Sequence, residues 1–264
     1  MPSAYRFLKV ERADGVMTVL IDKPPMNILD EELYQELERL ADKIDSDSET
    51  RAVVFGSSHP KVFIAGADIK EMQNYRFERD FVDRKIARVH AVFNRLEDVT
   101  RPTLAAIIGH ALGGGCEFAL ALDFRFMARG PARIGLPEIN IGIIPGGGGT
   151  QRLPRVVGYP KAVELMMTGA RLDAEQAQSV GLVHRACPAE STLTAAQEFA
   201  GILAEQAPVA IRLLKQCVKE SFGLPREPGM QIEREKCLQA VLSADAREGF
   251  AAFIEKRRPR WSDK

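Results

Sequence analysis

Apolar positions along the chain fall into short runs that alternate with helical stripes. Residues 7–12 and 16–21 read as two strands around an Asp14-Gly15 turn, a strong hairpin signal because both residues tolerate the positive φ of such turns. Pro24-Pro25 closes that unit. Asp30 is placed to cap a helix over 31–45, where Leu33, Leu37, Leu40 and Ile44 recur at helical spacing. Short apolar strands are predicted at 52–55 and 62–64. A charged helix follows over 78–97, with Phe81, Ile86, Val89, Val92, Phe93 and Leu96 as its apolar side. Residues 103–108 read as a buried strand, 116–122 as a helix and 124–128 as a further strand. Helices are predicted over 160–168 and 173–180, with a strand at 182–185. From Thr192 onward the pattern is almost wholly helical, broken at Pro208, Gly223–Pro225 and Pro228-Gly229.

This alternation implies βα-type units and an α/β core, with the helical last third as an appendage suited to packing against another subunit. At 264 residues, 45% hydrophobic and 27% charged, the chain fits one large domain with such an appendage better than two independent units. Its 36 basic and 36 acidic residues cancel, so nothing global draws it to nucleic acid or an anionic membrane. Cys116, Cys187, Cys217 and Cys237 lack C-x-x-C spacing, which indicates neither a zinc site nor a disulfide framework. Reduced, cytoplasmic surroundings are the simplest expectation. No apolar signal region opens the chain and no apolar run is long enough for a bilayer, so a soluble protein is expected.

The chemistry gathers at two glycine runs, each near a glutamate. Gly113-Gly114-Gly115 precedes Glu117, and Glu138 precedes Gly146-Gly147-Gly148-Gly149. Glycines opening a helix leave backbone N–H groups bare, with no Cβ to keep a ligand away. Such groups suit a phosphate or a developing oxyanion. Alone, Glu117 also reads as a solvent-facing residue complementing a helix dipole, and Glu138 as a turn or cap residue. As a pair on separate glycine-framed segments, they can face one substrate from two sides, one taking a proton and one giving it. Gly66-Ala67-Asp68 ends a strand in small residues, so Ala67 can donate its N–H alongside Gly114, while Asp68 reads as a cap. Residues 146–149 read either as a flexible loop or as a phosphate cradle. No Gly-Lys-Ser/Thr follows, so this is not a P-loop. His110 reads as structural, and the absence of Gly-x-Ser-x-Gly leaves serine hydrolase chemistry unsupported.

Three segments together resemble the enoyl-CoA hydratase/isomerase (crotonase) superfamily. They are Ala65-Gly66-Ala67-Asp68-Ile69-Lys70-Glu71-Met72, Gly109-His110-Ala111-Leu112-Gly113-Gly114-Gly115-Cys116-Glu117, and Pro137-Glu138-Ile139 through Pro145-Gly146-Gly147-Gly148-Gly149-Thr150-Gln151-Arg152-Leu153. Arg247-Glu248-Gly249-Phe250 and Ala252-Phe253-Ile254-Glu255-Lys256-Arg257 resemble the family's terminal helix. The resemblance covers nearly the whole chain in the expected order. It implies an α/β crotonase (ClpP-like) spiral of ββα units over residues 1–195, carrying the active site, and a C-terminal helical trimerisation region over 196–264. It implies homotrimers or homohexamers and acyl-CoA thioester substrates. It also implies no metal and no redox cofactor, coenzyme A being part of the substrate.

By the same resemblance the thioester oxygen sits between the N–H groups of Ala67 and Gly114, which stabilise an enolate. Glu117 holds and deprotonates the water that attacks C3, and Glu138 delivers the proton at C2, the roles exchanging with direction. Ala65, Asp68, Ile69 and Gly113 border the coenzyme A site, with Ala65 and Ile69 at the adenine. Phe253 and Lys256 resemble residues reaching the coenzyme A or acyl region, and Lys23 is a further candidate for the phosphates. Both glutamates together mark the family's hydratases, so a reversible 2-enoyl-CoA hydratase is expected. The alternatives are a dienoyl or cyclic enoyl-CoA hydratase, a ring hydrolase or a double-bond isomerase. Pro24-Pro25-Met26-Asn27-Ile28-Leu29-Asp30 departs from the family's commoner Ala-Leu-Asn-Ala-Leu form, which leaves the acyl group open. One family branch binds RNA, and Arg76, Arg79, Arg84, Lys85, Arg88 and Arg95 form a basic side. Glu78, Asp80 and Asp83 offset it, so a solvated helix face is the reading and nucleic-acid binding is not expected.

Overall fold

A computed structural model describes residues 5–67, 72–73 and 78–264; Asp68, Ile69 and Arg76 lie outside the described residues. The hairpin forms as predicted. Asp14 and Gly15 have φ of 49° and 77°, and β1 (Leu8–Ala13) pairs antiparallel with β2 (Val16–Ile21). From β2 the large sheet grows by parallel strands: β4 (Ala52–Ser57), β7 (Thr103–Ile107), β9 (Phe124–Ala128) and β11 (Arg185–Cys187). Its order is β1-β2-β4-β7-β9-β11. Strands β4 and β7 are buried along their whole length, as parallel strands covered on both faces must be.

After β2, β4, β7 and β9 the chain crosses to a smaller sheet and then enters a helix. A two-stranded sheet joins β3 (Ile28–Leu29) to β6 (Gly66–Ala67). A three-stranded one orders β10 (Ile134–Gly135), β8 (His110–Leu112) and β5 (Val62–Ile64). The helices are α1 (Glu31–Ser46), α2 (Arg79–Glu97) and α3 (Gly114–Leu120), followed by α4 (Gly149–Val157), α5 (Tyr159–Thr168) and α6 (Ala174–Ser179). Successive strand-strand-helix turns stacked along one parallel sheet make a spiral, the architecture expected from the resemblance. Phe55, Phe63 and Phe93 pack around Phe118 of α3, with ring centroids 5.5 to 6.0 Å apart, between the large and small sheets. On the other face α7 (Thr192–Ala204) sets Ala196 and Ala200 against Val54, Leu104, Ala106 and Phe126. The sequence division at 195/196 therefore falls inside a helix that belongs to the sheet packing. Beyond it lie α8 (Pro208–Ser221), α9 (Arg226–Leu242) and α10 (Ala244–Glu255).

Some expectations shift. Helix α3 starts at Gly114 rather than 116, its first two residues being the glycines Gly114 and Gly115. The strand expected at 182–185 lies at Arg185–Cys187; Leu182 and Val183 are buried as a core-filling loop, which an apolar run alone cannot distinguish from a strand. Pro228-Gly229 does not break α9, since a proline in a first helical turn removes no intrahelical hydrogen bond. Only Val92, Phe93 and Leu96 of α2 are buried, and Ile86 is exposed, because the first half of that helix runs past the core. The basic side of α2 is partly spent on acidic α1: Arg88 pairs with Glu31 and Glu38, and Arg95 with Asp42 and Asp45. Among the described residues no helix is long and apolar enough to cross a membrane.

One buried cation ties α3 into this frame. Arg125 donates to the carbonyls of Ala119 (3.1 Å) and Leu122 (2.7 Å) at the helix's C-terminal end, and to Leu182 O (2.8 Å). Burial lowers its pKa to about 10, so the charge is held at a desolvation cost. Arg125→Met leaves those carbonyls without their donor. It should destabilise the fold by about 3 kcal/mol or more, read as a lowered urea midpoint at unchanged m.

Candidate active site

The site begins where two chain segments run unusually close. A Cβ built on Gly114 would stand 2.8 Å from Leu29 Cδ1 and 3.6 Å from the Ala67 nitrogen. One built on Gly66 (φ 94°) would stand 3.0 Å from Leu112 O and 3.3 Å from the Gly114 nitrogen. Only glycine permits both approaches. The N–H of Gly114, first in α3, has no acceptor in its own helix. Ala67 is exposed, Ala65 half-buried, and Gly113 turns the chain into α3 with φ 56°.

The strand that carries Ala67 is held from behind. Ile28 and Leu29 of β3 pair in register with Gly66 and Ala67. Asn27 anchors β3: its side chain donates to Ser57 Oγ (2.8 Å) and Phe63 O (3.0 Å) and accepts from Lys23 N (2.8 Å). Lys23 itself is buried. Its ammonium lies 2.6 and 2.5 Å from the two Asp30 carboxylate oxygens, 3.5 Å from Glu32, and 4.1 Å above the Phe7 ring. That charge is engaged inside the fold and is not directed at the glycine-framed site.

Glu117 lies within the first turn of α3 and is 3% exposed. Its Oε1 accepts from Gly147 N (2.7 Å) and Gly149 N (2.8 Å), where the second glycine run passes into α4. Residues 146–149 are thus neither an idle loop nor a cradle for an external phosphate: two of their N–H groups serve this carboxylate. Burial raises the pKa of Glu117; the two N–H donors and the charges of Arg152 and His90 oppose the rise. Glu138 opens a 3₁₀ turn (Glu138–Ile141) after Pro137. Its Oε1 lies 3.2 Å from where a Cβ of Gly113 would be, and its buried Oε2 has no partner. Burial pushes its pKa up to about 7, the charge of Glu117 adding to the rise and its own backbone N–H opposing it.

The two carboxyls therefore sit near the glycine start of one short helix, one bound by N–H groups and one with an open oxygen. Two backbone N–H groups stand beside them. Such a constellation can stabilise charge on an oxygen while protons move on either side of it. The remaining expected residues are placed differently. His110 Nδ1 accepts from Arg133 N (3.2 Å), a structural role. Phe253, on α10, is 86% exposed, and Lys256 caps that helix with φ 51°. Among the described residues no hydrogen bond of the glycine-framed site involves either one. Asp68 and Ile69 are outside the described residues. The sequence reading missed Gly147 and Gly149 as donors to Glu117; the signal was a glycine run near a glutamate, but the partner proved to be the other glutamate, 30 and 32 residues away. Among the described residues no group of three or more His, Cys, Asp and Glu side chains is arranged to hold a metal ion.

The sequence model of the family described as Enoyl-CoA hydratase/isomerase matches residues 11–264. The chain is 38% identical over 259 residues to the "Probable enoyl-CoA hydratase" of Mycobacterium tuberculosis, covering 98% of both chains. It is 36% identical to the short-chain-enoyl-CoA hydratase of Clostridium acetobutylicum, covering 94% of this chain and 95% of that one. The fold superposes on the crystal structure of enoyl-CoA hydratase from Bacillus anthracis with a TM-score of 0.92 and 34% identity, over 98% of this chain and 100% of that one.

An ionised Glu138 is costly where it sits, and the sign of the effect follows. Its folded pKa, about 7, exceeds the ordinary carboxylate value of 4.5, so its contribution to stability is lost as pH rises between the two. Glu138→Gln removes the ionisation. Its Tm should exceed that of the wild type at pH 8.5, and the gap should close at pH 5, as read by scanning calorimetry.

Proposed function

We propose that this chain, which belongs to the enoyl-CoA hydratase/isomerase family, adds water reversibly across the double bond of a 2-enoyl-CoA to give the 3-hydroxyacyl-CoA. The observation that carries the reading is the pair Glu117 and Glu138, both withdrawn from water and both at the glycine start of α3. In the proposed hydration the thioester oxygen lies between the N–H groups of Ala67 and Gly114. Charge then develops on that oxygen as C3 is attacked, and preorganised donors meet it without reorganising. Glu117 takes a proton from water as the hydroxyl bonds to C3, and Glu138 gives its proton to C2. The reverse reaction exchanges both transfers. An acid that must be protonated and a base that must be ionised at one pH suit the different settings of the two groups. Protein groups alone move these protons, and coenzyme A enters as part of the substrate.

The coenzyme A moiety is assigned to the edge formed by Ala65, Ala67, Asp68, Ile69, Gly113 and Gly114. Lys23 is the weakest member of the proposed set, because its charge is already paired. Phe253 and Lys256 join the site from a neighbouring copy in a homotrimer or a homohexamer. Support for assembly comes from the apolar side chains that α8–α10 leave exposed, among them Leu214, Phe222, Leu242, Phe250, Phe253 and Ile254. Sedimentation equilibrium should give three or six times the 29.2 kDa chain mass, and a monomer would remove these two residues from the site.

The first test is loss of the conjugated-thioester absorbance of crotonyl-CoA, with product confirmed by mass as a gain of one water. Rapid loss supports a short-chain hydratase. Failure with crotonyl-CoA and with longer, cyclic and dienoyl thioesters alike overturns the reading. Glu117→Gln and Glu138→Gln should each lower kcat by about 10²- to 10⁴-fold while acyl-CoA still binds. Because hydration needs Glu138 protonated and dehydration needs it ionised, kcat for hydration should fall as pH rises through about 7, and kcat for dehydration should rise through the same range.

A further inference from the structure

Arg152 is a buried cation that the reaction as described does not use. It projects from α4 and is 7% exposed. Its Nη1 donates to Gly147 O (3.0 Å), and its Nη2 to Asn94 Oδ1 (2.8 Å). Its Nε and Nη2 both donate to Glu97 Oε2 (3.0 and 2.6 Å). Asn94 and Glu97 lie three residues apart on α2, on one helix face, so a planar guanidinium meets both in a fixed orientation. The glycine loop passes between this fork and Glu117. A Cβ on Gly147 would come within 2.6 Å of Glu117 Oε2, and one on Gly148 (φ 100°) within 2.2 Å of Arg152 Nη1. The loop is glycine because neither wall has room for a side chain. Gly147 is consequently held twice, its N–H by Glu117 and its carbonyl by Arg152.

We propose that Arg152 is a positioning residue for Glu117: anchored on α2 by Asn94 and Glu97, it fixes through the Gly147 carbonyl the two N–H groups that orient and charge-stabilise that carboxylate. Arg152 touches neither substrate nor reacting atoms in this arrangement. Its charge also opposes the burial that raises the Glu117 pKa. The other groups acting on Glu117 are His90 of α2 and Glu138 of the 3₁₀ turn; the buried Cys116 thiol is adjacent, and Glu97 partly offsets the Arg152 charge. Removing Arg152 therefore moves the Glu117 pKa further up. A base that must be ionised then loses activity at a higher pH.

The proposal rests on the reading of Glu117 as the base of hydration, so the test has one arm that needs no turnover. In the assembled enzyme, Arg152→Met should lower kcat about 10²-fold with KM little changed, and shift the acid limb of the kcat–pH profile upward. Arg152→Lys should restore the position of the limb, which follows charge, but only part of kcat, which follows the fork geometry. Gly148→Ala, which keeps the cation and displaces the fork, should lower kcat in the same way and serves if Arg152→Met does not fold. Without substrate, the infrared carboxylate band that disappears in Glu117→Gln should titrate at higher pH in Arg152→Met than in the wild type. A lowered Tm with kcat per folded site, acid limb and infrared titration all at wild-type values would overturn the positioning role. Failure of the wild type to hydrate any enoyl-CoA would overturn the functional reading instead, and the infrared titration would still decide the coupling of Arg152 to Glu117.

Discussion

Close approach of backbones at the start of α3 is the constraint on which the rest of this protein depends. A Cβ on Gly115 would lie 2.2 Å from Ile64 O, one on Gly114 2.8 Å from Leu29 Cδ1, and one on Gly113 3.2 Å from Glu138 Oε1. At Gly115 a Cβ would strike a backbone carbonyl that cannot give way, while at Gly114 and Gly113 it would press on the ends of the Leu29 and Glu138 side chains. Because of that contact, the first helical N–H stands beside Ala67, and a carboxylate three residues later is driven into the interior. The parallel spiral exists around this junction. Strands β5 and β8 bring residues 64 and 111 together, and β3 backs the strand that bears Ala67.

Burying two carboxylates in this way works against stability, and the molecule compensates unequally. Glu117 receives two backbone donors and a cation behind them, while Glu138 has an orphaned oxygen and a pKa near 7. That inequality sets a carboxyl held by N–H donors beside one left with an open oxygen, the difference on which the proposed division of roles rests. A site tuned only for stability would have satisfied both. Arg125 and Arg152 belong to the same economy of buried charge. Each spends a desolvated guanidinium on backbone carbonyls, one at the C-terminal end of α3 and one at the loop facing its N-terminal end.

Outside the spiral the chain looks unfinished by itself. Helix α9 buries no residue, and α10 exposes Phe250, Phe253 and Ile254 together. Such an exposed run of leucines and phenylalanines is what supports the proposed assembly of several copies. The same surface carries Phe253 and Lys256, the two residues that the family resemblance assigned to the coenzyme A or acyl region.

Local pattern determined most of what was legible. Asp14-Gly15, Asp30 and the leucines of α1 specify their elements through near neighbours, and the three motif segments identify the family through ordered glycines, of which Gly66, Gly109 and Gly115 lie against backbone. The parallel strands of the large sheet were readable as apolar runs except β11, whose Arg-Ala-Cys lies beyond the apolar residues 182–183. The two- and three-residue strands β3, β6, β8 and β10 were not, since pieces that short have no periodicity and exist only as pairings with distant partners. The same limit applies to the site. Glu117, Glu138, Ala67 and Gly114 were visible as candidates, but their convergence, the service of Gly147 and Gly149 to Glu117, and the role of Arg152 were not. Apart from the local bond of Arg152 to Gly147, those links join residues separated by tens of positions, and Coulomb and hydrogen-bond interactions depend on distance in space, which only the folded chain defines. Sequence alone determined which groups were available; the tertiary structure decided which of them are charged, which are held, and by what.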